Sequence, residues 1–158
     1  MPSALLNVPH FRQEFNYSCI AACSRMVLAH HGRVVAESEL RQLLDTQPTG
    51  TRARNLESLE SLGFDVHLDS SSLTNLREAL AAELAPIVFV DSGNLDYWEV
   101  DCAHVAVLVG IDDDFVYLND PFFESAPQRT SLPRFLQAWA LNSHLAAIIR
   151  PSSAPSPG

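Results

Sequence analysis

The sequence predicts an α+β fold in which N-terminal helices pack on a C-terminal antiparallel sheet, and three observations support this class. The chain has 158 residues, 47% of them hydrophobic, so it can bury one substantial core. Helical periodicity dominates the first half, whereas short apolar strands gather in the second half. Helices and strands that are segregated along a chain are typical of α+β proteins rather than of alternating α/β proteins.

The first half contains three predicted helices. Ser18 can cap a helix over residues 19–31, and Gly32 provides a left-handed stop for it. Apolar residues recur along this helix at helical spacing, so one of its faces should be buried. Two further helices are predicted over residues 37–45 and 54–62, the last with a stripe of leucines at Leu56, Leu59 and Leu62.

The remaining elements are mostly strands. Residues 64–68 alternate like a strand, and a helix with a Ser-rich cap is predicted over 72–84. The acidic, aromatic loop 91–101 is long enough to act as a flap beside a cleft. An Asp-rich turn indicates a hairpin between two of the later strands. The later strands are predicted at 86–90, 103–111, 115–120 and 145–150, and the last helix at 131–141.

One domain is predicted over residues 1–150, followed by a disordered Pro/Ser-rich tail over 151–158. No run of 18 apolar residues is present, so no membrane insertion is expected. The first residues lack a basic segment followed by an apolar one, so no secretion signal is expected and a cytoplasmic location is predicted. Three cysteines fit free thiols in a reducing compartment better than a disulfide framework.

The charged residues exclude several classes of function. All ten basic residues are arginine, and the net charge is −9. Without lysine there is no phosphate-loop lysine, no Schiff-base lysine and no Ser–Lys dyad. An acidic chain without a basic patch argues against nucleic acid as a partner and against docking on an anionic membrane.

Cys19 lies where the polar stretch FNYS opens onto the first apolar helix. Unpaired backbone amides and the helix dipole favour a thiolate at such a position. A nucleophilic cysteine needs that environment together with a nearby base. The alternative is a small apolar residue in a first helical turn, and Cys23, one turn further on, is predicted to pack in the core.

His104 is the best candidate for the base, since it begins the most apolar strand directly after the loop 91–101. Asp120 ends the neighbouring strand, and Pro121 then forces a turn. The two residues lie at similar distances along their strands from the turn near Asp113, so both should reach one rim of the sheet. A core histidine and an Asx-turn aspartate are the alternatives. Three other histidines are interpreted as surface residues: His10, His67 and His144.

Gln13 precedes Cys19 in an extended, polar segment. Its amide can donate to a developing oxyanion together with the Cys19 backbone amide. Alone, a solvated loop glutamine is the simpler interpretation. With His104 and Asp120, however, it completes a set of nucleophile, base, orienting carboxylate and oxyanion donor for acyl transfer.

The segment VPHFRQEFNYSCIAACSRMVLAHHG, residues 8–32, resembles the opening of the bacteriocin-processing peptidases, papain-like domains that cut double-glycine leader peptides. The similarity continues through TGTRARNLESLESLGFDVHL and through AHVAVLVGIDDDFVYLNDP. It covers roughly residues 8–150, and the order of the motifs carries its specificity more than any single motif does.

The resemblance implies a papain-like cysteine peptidase fold in a bacterial, free-standing domain without a cofactor. Carried over by position, Cys19 is the nucleophile, His104 the base, Asp120 the orienting carboxylate and Gln13 the oxyanion donor. The implied partner is a peptide or protein substrate, with leader-type peptides as one class. Two positions depart from the family pattern: Ile20 replaces a glycine and is expected to crowd the nucleophile, and Ser18 replaces an acidic residue.

Four rival interpretations stay open. The same fold can bind a peptide without cutting it, and the same triad can support an amide transferase or a deamidase. Cys102 is an alternative nucleophile, although a strand amide gives its thiolate no dipole assistance. A Cys₃His zinc site is the fourth rival, and its four ligands would be Cys19, Cys23, Cys102 and His104.

Overall fold

A computed structural model describes residues 5–152, and a six-stranded antiparallel sheet organises them. The strands are β1 (Phe64–Ser70), β2 (Ile87–Asp91), β3 (Ala103–Ile111), β4 (Phe115–Asn119), β5 (Gln128–Ser131) and β6 (Leu145–Pro151). The helices are α1 (Cys19–His30), α2 (Glu37–Leu43), α3 (Leu73–Ala81) and α4 (Leu132–Ala140), with 3₁₀ segments at Ala53–Leu62 and Ser92–Asn94. The strand order is β1-β6-β2-β3-β4-β5, and every neighbouring pair is antiparallel.

Both faces of the sheet are covered. Alternate residues of β3 point to opposite faces, so Val105 and Val107 pack towards α1 and α2 while Ala106 and Leu108 pack towards α3 and α4. A strand buried on both faces reads as a continuous apolar run, and β3 does so. The predicted α+β class is therefore confirmed, with helices on the second face as well as the first.

Helix α1 begins at the predicted residue, Cys19, but lacks the predicted side-chain cap. It ends at His30, and Gly32 adopts the left-handed conformation with φ of +87°. Ser18 precedes the helix, yet its side chain makes no capping hydrogen bond and turns back to Phe15 instead. The predicted Ser18 cap is therefore wrong. None of the helices within residues 5–152 has the length and apolar character that crossing a bilayer requires.

The predicted third helix is a 3₁₀ helix rather than an α-helix. Its leucine stripe explains the difference, because Leu56, Leu59 and Leu62 recur every third residue and align on a helix with three residues per turn. Leu56 and Leu59 are fully buried. Gly63 ends the segment with φ of +90°, and β1 follows directly.

Two features near the C-terminus differ from the prediction. Strand β5 was not predicted, because its sequence QRTS is short, polar and without apolar alternation. Strand β6 extends through Pro151, and the Ser152 amide donates to the Gly63 carbonyl. Residues 153–158 of the predicted tail lie outside the described residues, so disorder there stays a prediction.

Candidate active site

His104 and Asp120 face each other at the mouth of the β3–β4 hairpin. Val107 pairs with Asn119, so continuing this register places Ala106 opposite Asp120 and makes His104 its same-face diagonal neighbour. The Nε2 atom of His104 lies 2.7 Å from Oδ1 of Asp120. Both side chains are buried, the carboxylate completely.

Both oxygens of the Asp120 carboxylate have two partners. Oδ1 accepts from the Phe122 backbone amide at 3.0 Å as well as contacting His104. Oδ2 accepts from the Tyr97 hydroxyl at 2.8 Å and from Nε1 of Trp98 at 2.9 Å. Asp120 therefore forms the Asx turn of the alternative interpretation and contacts His104 at the same time.

This arrangement shifts the pKa of both groups. Burial alone lowers the pKa of His104, but the hydrogen bond and charge of Asp120 and a contact with Cys19 raise it to about 10. Burial alone raises the pKa of Asp120, but the hydrogen bond and charge of His104 outweigh it and hold that pKa below its usual range. The pair therefore favours a cationic imidazole beside an anionic carboxylate.

Cys19 reaches the same place from the first turn of α1. It is half-buried and lines a cleft of about 480 Å³ together with Gln13, Trp98, Cys102 and His104. The contact between Cys19 and His104 brings the predicted nucleophile to the predicted base.

The other two cysteines lie in different surroundings. Cys23 is fully buried, and burial followed by the nearby Cys19 and Asp120 charges raises the pKa of its thiol well above its usual value. It packs in the core as predicted. Cys102 is exposed, and its Sγ atom lies 3.4 Å from the Ser92 hydroxyl in a loop rather than at a helix N-terminus.

Gln13 lies beside Cys19 at the edge of the cleft. Its Nε2 donates to the Phe15 carbonyl at 2.7 Å, which occupies one of the two amide hydrogens and fixes the side chain. The Gln13 backbone amide donates to the Pro121 carbonyl at 2.7 Å, so the segment before Cys19 is tied to the turn after Asp120.

Ile20 does not crowd the cleft, contrary to the expectation from the sequence. Its side chain is only 6% exposed and packs in the core between α1 and the sheet. It is not among the residues that line the cleft. The side chain after the nucleophile position points inwards, so its size leaves the approach to Cys19 open.

The loop after β2 forms a fixed wall of the cleft rather than a free flap. Ser92 Oγ donates to the Val100 carbonyl at 2.6 Å and accepts from the Cys102 amide at 2.9 Å, which closes the base of the loop. Further along, the Asp96 carboxylate accepts from the Ser131 amide at 2.6 Å. Together with the bonds from Tyr97 and Trp98 to Asp120, these contacts hold the loop at both ends and in the middle.

The wall is aromatic. The ring of Trp98 lies 4.9 Å from the His104 ring, edge to face, and 4.6 Å from the Phe122 ring. The sequence predicts that the loop 91–101 lies beside a cleft, but it does not predict the bonds from Tyr97 and Trp98 to Asp120. Periodicity carries no signal for a contact that joins a loop to a residue 22 or 23 positions away.

His10, His67 and His144 do not line the cleft that Cys19 lines. His67 and His144 are exposed, as predicted. His10 is half-buried rather than a surface residue, because its Nε2 contacts the Phe123 carbonyl at 2.6 Å. This bond gives the N-terminal segment a second tie to the turn after Asp120.

The four residues of the alternative zinc site do not form a metal site. Among residues 5–152, no three His, Cys, Asp or Glu side chains are grouped so that they could hold a metal ion. Cys23 packs in the core and Cys102 is exposed, so the four side chains are not grouped around one point.

The chain belongs to the peptidase C39 family, whose model matches residues 7–153. It has the papain-like fold of that family, and the match supports a peptidase function. The family suggested by residues 8–150 is thereby confirmed. No curated protein matches the chain.

Solved structures share the fold. The peptidase domain of Streptococcus ComA, a bifunctional ABC transporter involved in a quorum sensing pathway, has a TM-score of 0.76 at 24% identity, covering 92% of this chain and 100% of that one. A putative C39-like peptidase from Bacillus anthracis has a TM-score of 0.79 at 16% identity, covering 96% and 100%. A double glycine motif protease from an AMS/PCAT transporter, in complex with the leader peptide, has a TM-score of 0.74 at 19% identity, covering 94% and 95%.

Proposed function

We propose that this protein is a cysteine peptidase that cleaves a peptide bond by thiol acyl transfer. Cys19 is the nucleophile, His104 the base and later the acid, Asp120 the orienting carboxylate and Gln13 the oxyanion donor. The observation that carries the proposal is the position of His104, which is bonded to Asp120 through Nε2 and in contact with Cys19 at the cleft. Family membership supports the same class of reaction.

The first half of the reaction acylates the thiol. In the resting pair the imidazole of His104 is cationic and already holds the proton of Cys19 on Nδ1, because Nε2 is engaged by Asp120. The thiolate sulfur bonds to the carbonyl carbon, and the oxyanion receives hydrogen bonds from Nε2 of Gln13 and from the Cys19 backbone amide. The C–N bond then breaks, and the leaving amine takes the proton from His104.

The second half releases the acyl group. A water molecule gives a proton to His104 and attacks the thioester carbon, and the C–S bond breaks to regenerate the thiolate. The carboxylate of Asp120 stays ionised throughout and stabilises the imidazolium that forms in each half.

We propose a peptide or protein as the substrate. Leader-type peptides are the first to test, since the AMS/PCAT protease of the same fold was solved with its leader peptide. The aromatic wall of Trp98 and Phe122 gives the cleft an apolar surface that suits peptide side chains.

The test compares the alkylation rates of the three cysteines. Iodoacetamide is applied across a pH series, and mass spectrometry follows each cysteine in the native chain and in His104→Ala. We expect Cys19 to react fast below pH 8 and to lose this advantage in His104→Ala. Cys102 is the matched control, because it is an exposed thiol in the same cleft without the helix and without the base.

Peptide cleavage is then assayed for the parent and for Cys19→Ala. Cleavage that persists in Cys19→Ala contradicts the proposal. A Cys19 that reacts no faster than Cys102 contradicts the poised thiolate–imidazolium pair.

A further inference from the structure

Glu37 carries a carboxylate that is almost completely removed from water. It is the first residue of α2, and its side chain is 1% exposed. Burial raises the pKa of this carboxyl, although a hydrogen bond from the Glu14 amide opposes the shift. Burying a charge costs free energy unless partners compensate for it. The partners of Glu37 therefore indicate which segment of the chain the carboxylate stabilises.

Those partners belong to the loop that connects Gln13 to Cys19. Oε1 of Glu37 accepts from the Glu14 backbone amide at 3.0 Å and lies 3.4 Å from the Ser18 hydroxyl. The Ser18 hydroxyl in turn accepts from the Phe15 amide at 3.0 Å and lies 2.9 Å from the Phe15 carbonyl. The carboxylate thus contacts both ends of the loop 14–18, directly before the first residue of α1.

Arg41 holds the same loop from the other side. Its Nε donates to Oε2 of Glu37 at 3.0 Å, and its Nη2 donates to Oε1 of Glu14 at 2.9 Å. The guanidinium also lies 4.5 Å over the ring of Phe15. Arg41 neutralises the buried carboxylate while contacting two side chains of the loop.

The contacts lead to the proposed oxyanion donor. The Phe15 carbonyl, which lies beside the Ser18 hydroxyl, accepts the hydrogen bond from Nε2 of Gln13 at 2.7 Å. A shift of the loop moves this carbonyl and with it the Gln13 amide. Donors that stabilise an oxyanion act only when they are held in place before the reaction, and a displacement of about 1 Å lowers the rate.

We propose that Glu37 and Arg41 are positioning residues of the active site, and that their ion pair fixes the loop 14–18 so that the Gln13 amide faces the oxyanion. This inference rests on the proposed function. Neither side chain lines the cleft, so neither is placed to touch the reacting bond. Both act through Gln13.

The first measurement is the kinetics of Glu37→Gln and Arg41→Gln. We expect kcat to fall about 10- to 100-fold, the range typical of residues that orient a reacting group. KM should stay within about threefold, because substrate contacts are untouched. The matched control is Glu39→Gln, an exposed position on the same helix, which should leave both parameters unchanged. Far-UV circular dichroism confirms that each variant is folded, and Arg41→Gln serves if Glu37→Gln is not.

The second measurement separates positioning from a merely structural role. Glu37→Gln is introduced into the parent and into the Gln13→Ala variant. We expect Glu37→Gln to have almost no further effect on kcat in the variant, because the Gln13 amide is already absent there. The inference is overturned if Glu37→Gln lowers kcat by the same factor with and without Gln13. It is also overturned if the kcat of Glu37→Gln equals that of the parent.

The alkylation rate of Cys19 distinguishes a failure of the positioning inference from a failure of the proposed peptidase function. Alkylation forms no oxyanion, so it should stay within about threefold of the parent in Glu37→Gln if the loop acts on Gln13. A large drop in alkylation shows that Glu37 acts on Cys19 and overturns the inference. Retained cleavage in Cys19→Ala, by contrast, refutes the proposed function itself.

Discussion

The His104 ring and the Asp120 carboxylate, 16 residues apart in the chain, meet at 2.7 Å in a buried site. Each compensates for the burial of the other, so the imidazole keeps its proton far above the pH at which a free histidine loses it. The contact follows from the register of the hairpin. It places His104 at the edge of the cleft where α1 presents Cys19.

Asp120→Asn should narrow the pH range of activity from the alkaline side. Under the proposed mechanism protonated His104 donates to the leaving amine, so kcat/KM should fall as pH rises through its pKa of about 10. Without the Asp120 charge that pKa drops, and the alkaline limb moves to lower pH. The rate at the optimum should fall about 10²- to 10⁴-fold. The pH profile of kcat/KM tests this, with exposed Asp113→Asn as the control, and an unmoved limb contradicts it.

Tyr97→Phe should destabilise the fold by about 1.5–3 kcal/mol, the range for a hydrogen bond to a charged group. The change removes one of the two donors to the buried Oδ2 of Asp120. Tyr117→Phe is the matched control, because that hydroxyl also donates to an aspartate at 2.8 Å, but this aspartate, Asp112, is half-buried whereas Asp120 is fully buried. Urea unfolding compares the two variants. Equal losses would show that burial does not strengthen the Tyr97 bond.

Gln13→Ala should lower kcat about 10²- to 10³-fold with little change in KM, as expected for loss of one oxyanion donor. Asn16→Ala is the control, since Asn16 lines the same cleft three residues further on. Steady-state kinetics on a cleaved peptide compares kcat and KM of the two variants. If KM rises in Gln13→Ala while kcat holds, the residue binds substrate instead.

Ile20→Ala should cost about 2–5 kcal/mol of stability and should not raise kcat. The side chain fills the core between α1 and the sheet and leaves the cleft open. Chemical denaturation together with kinetics below the unfolding transition tests both parts. An increase in kcat would mean that Ile20 does hinder the substrate.

Much of the fold and the candidate site was predictable because it depends on local periodicity and register. The helix starting at Cys19 and the strands that carry His104 and Asp120 follow from apolar patterning and from the turn near Asp113. The α+β class follows from the order of the elements.

The errors arose where tertiary contacts outweigh local preference. Ser18 is a good capping residue, but Phe15 and the buried Glu37 engage its hydroxyl instead. The length of the acidic loop after β2 indicates a flap beside the cleft, yet its acidic and aromatic side chains bond to distant elements. Glu37 begins an ordinary amphipathic helix, and nothing in the sequence distinguishes a buried glutamate there from an exposed one.

Cys19 and the pair of His104 and Asp120 lie far apart in the sequence, so they are synthesised at different times. Cys19 leaves the ribosome first, and Asp120 follows roughly 100 residues later, about 5–20 s at ordinary translation rates. Until then the nascent chain carries a thiol without its base or carboxylate. Under the proposed function, proteolytic activity begins only when the hairpin closes, so the unfinished chain cannot cut itself or its neighbours.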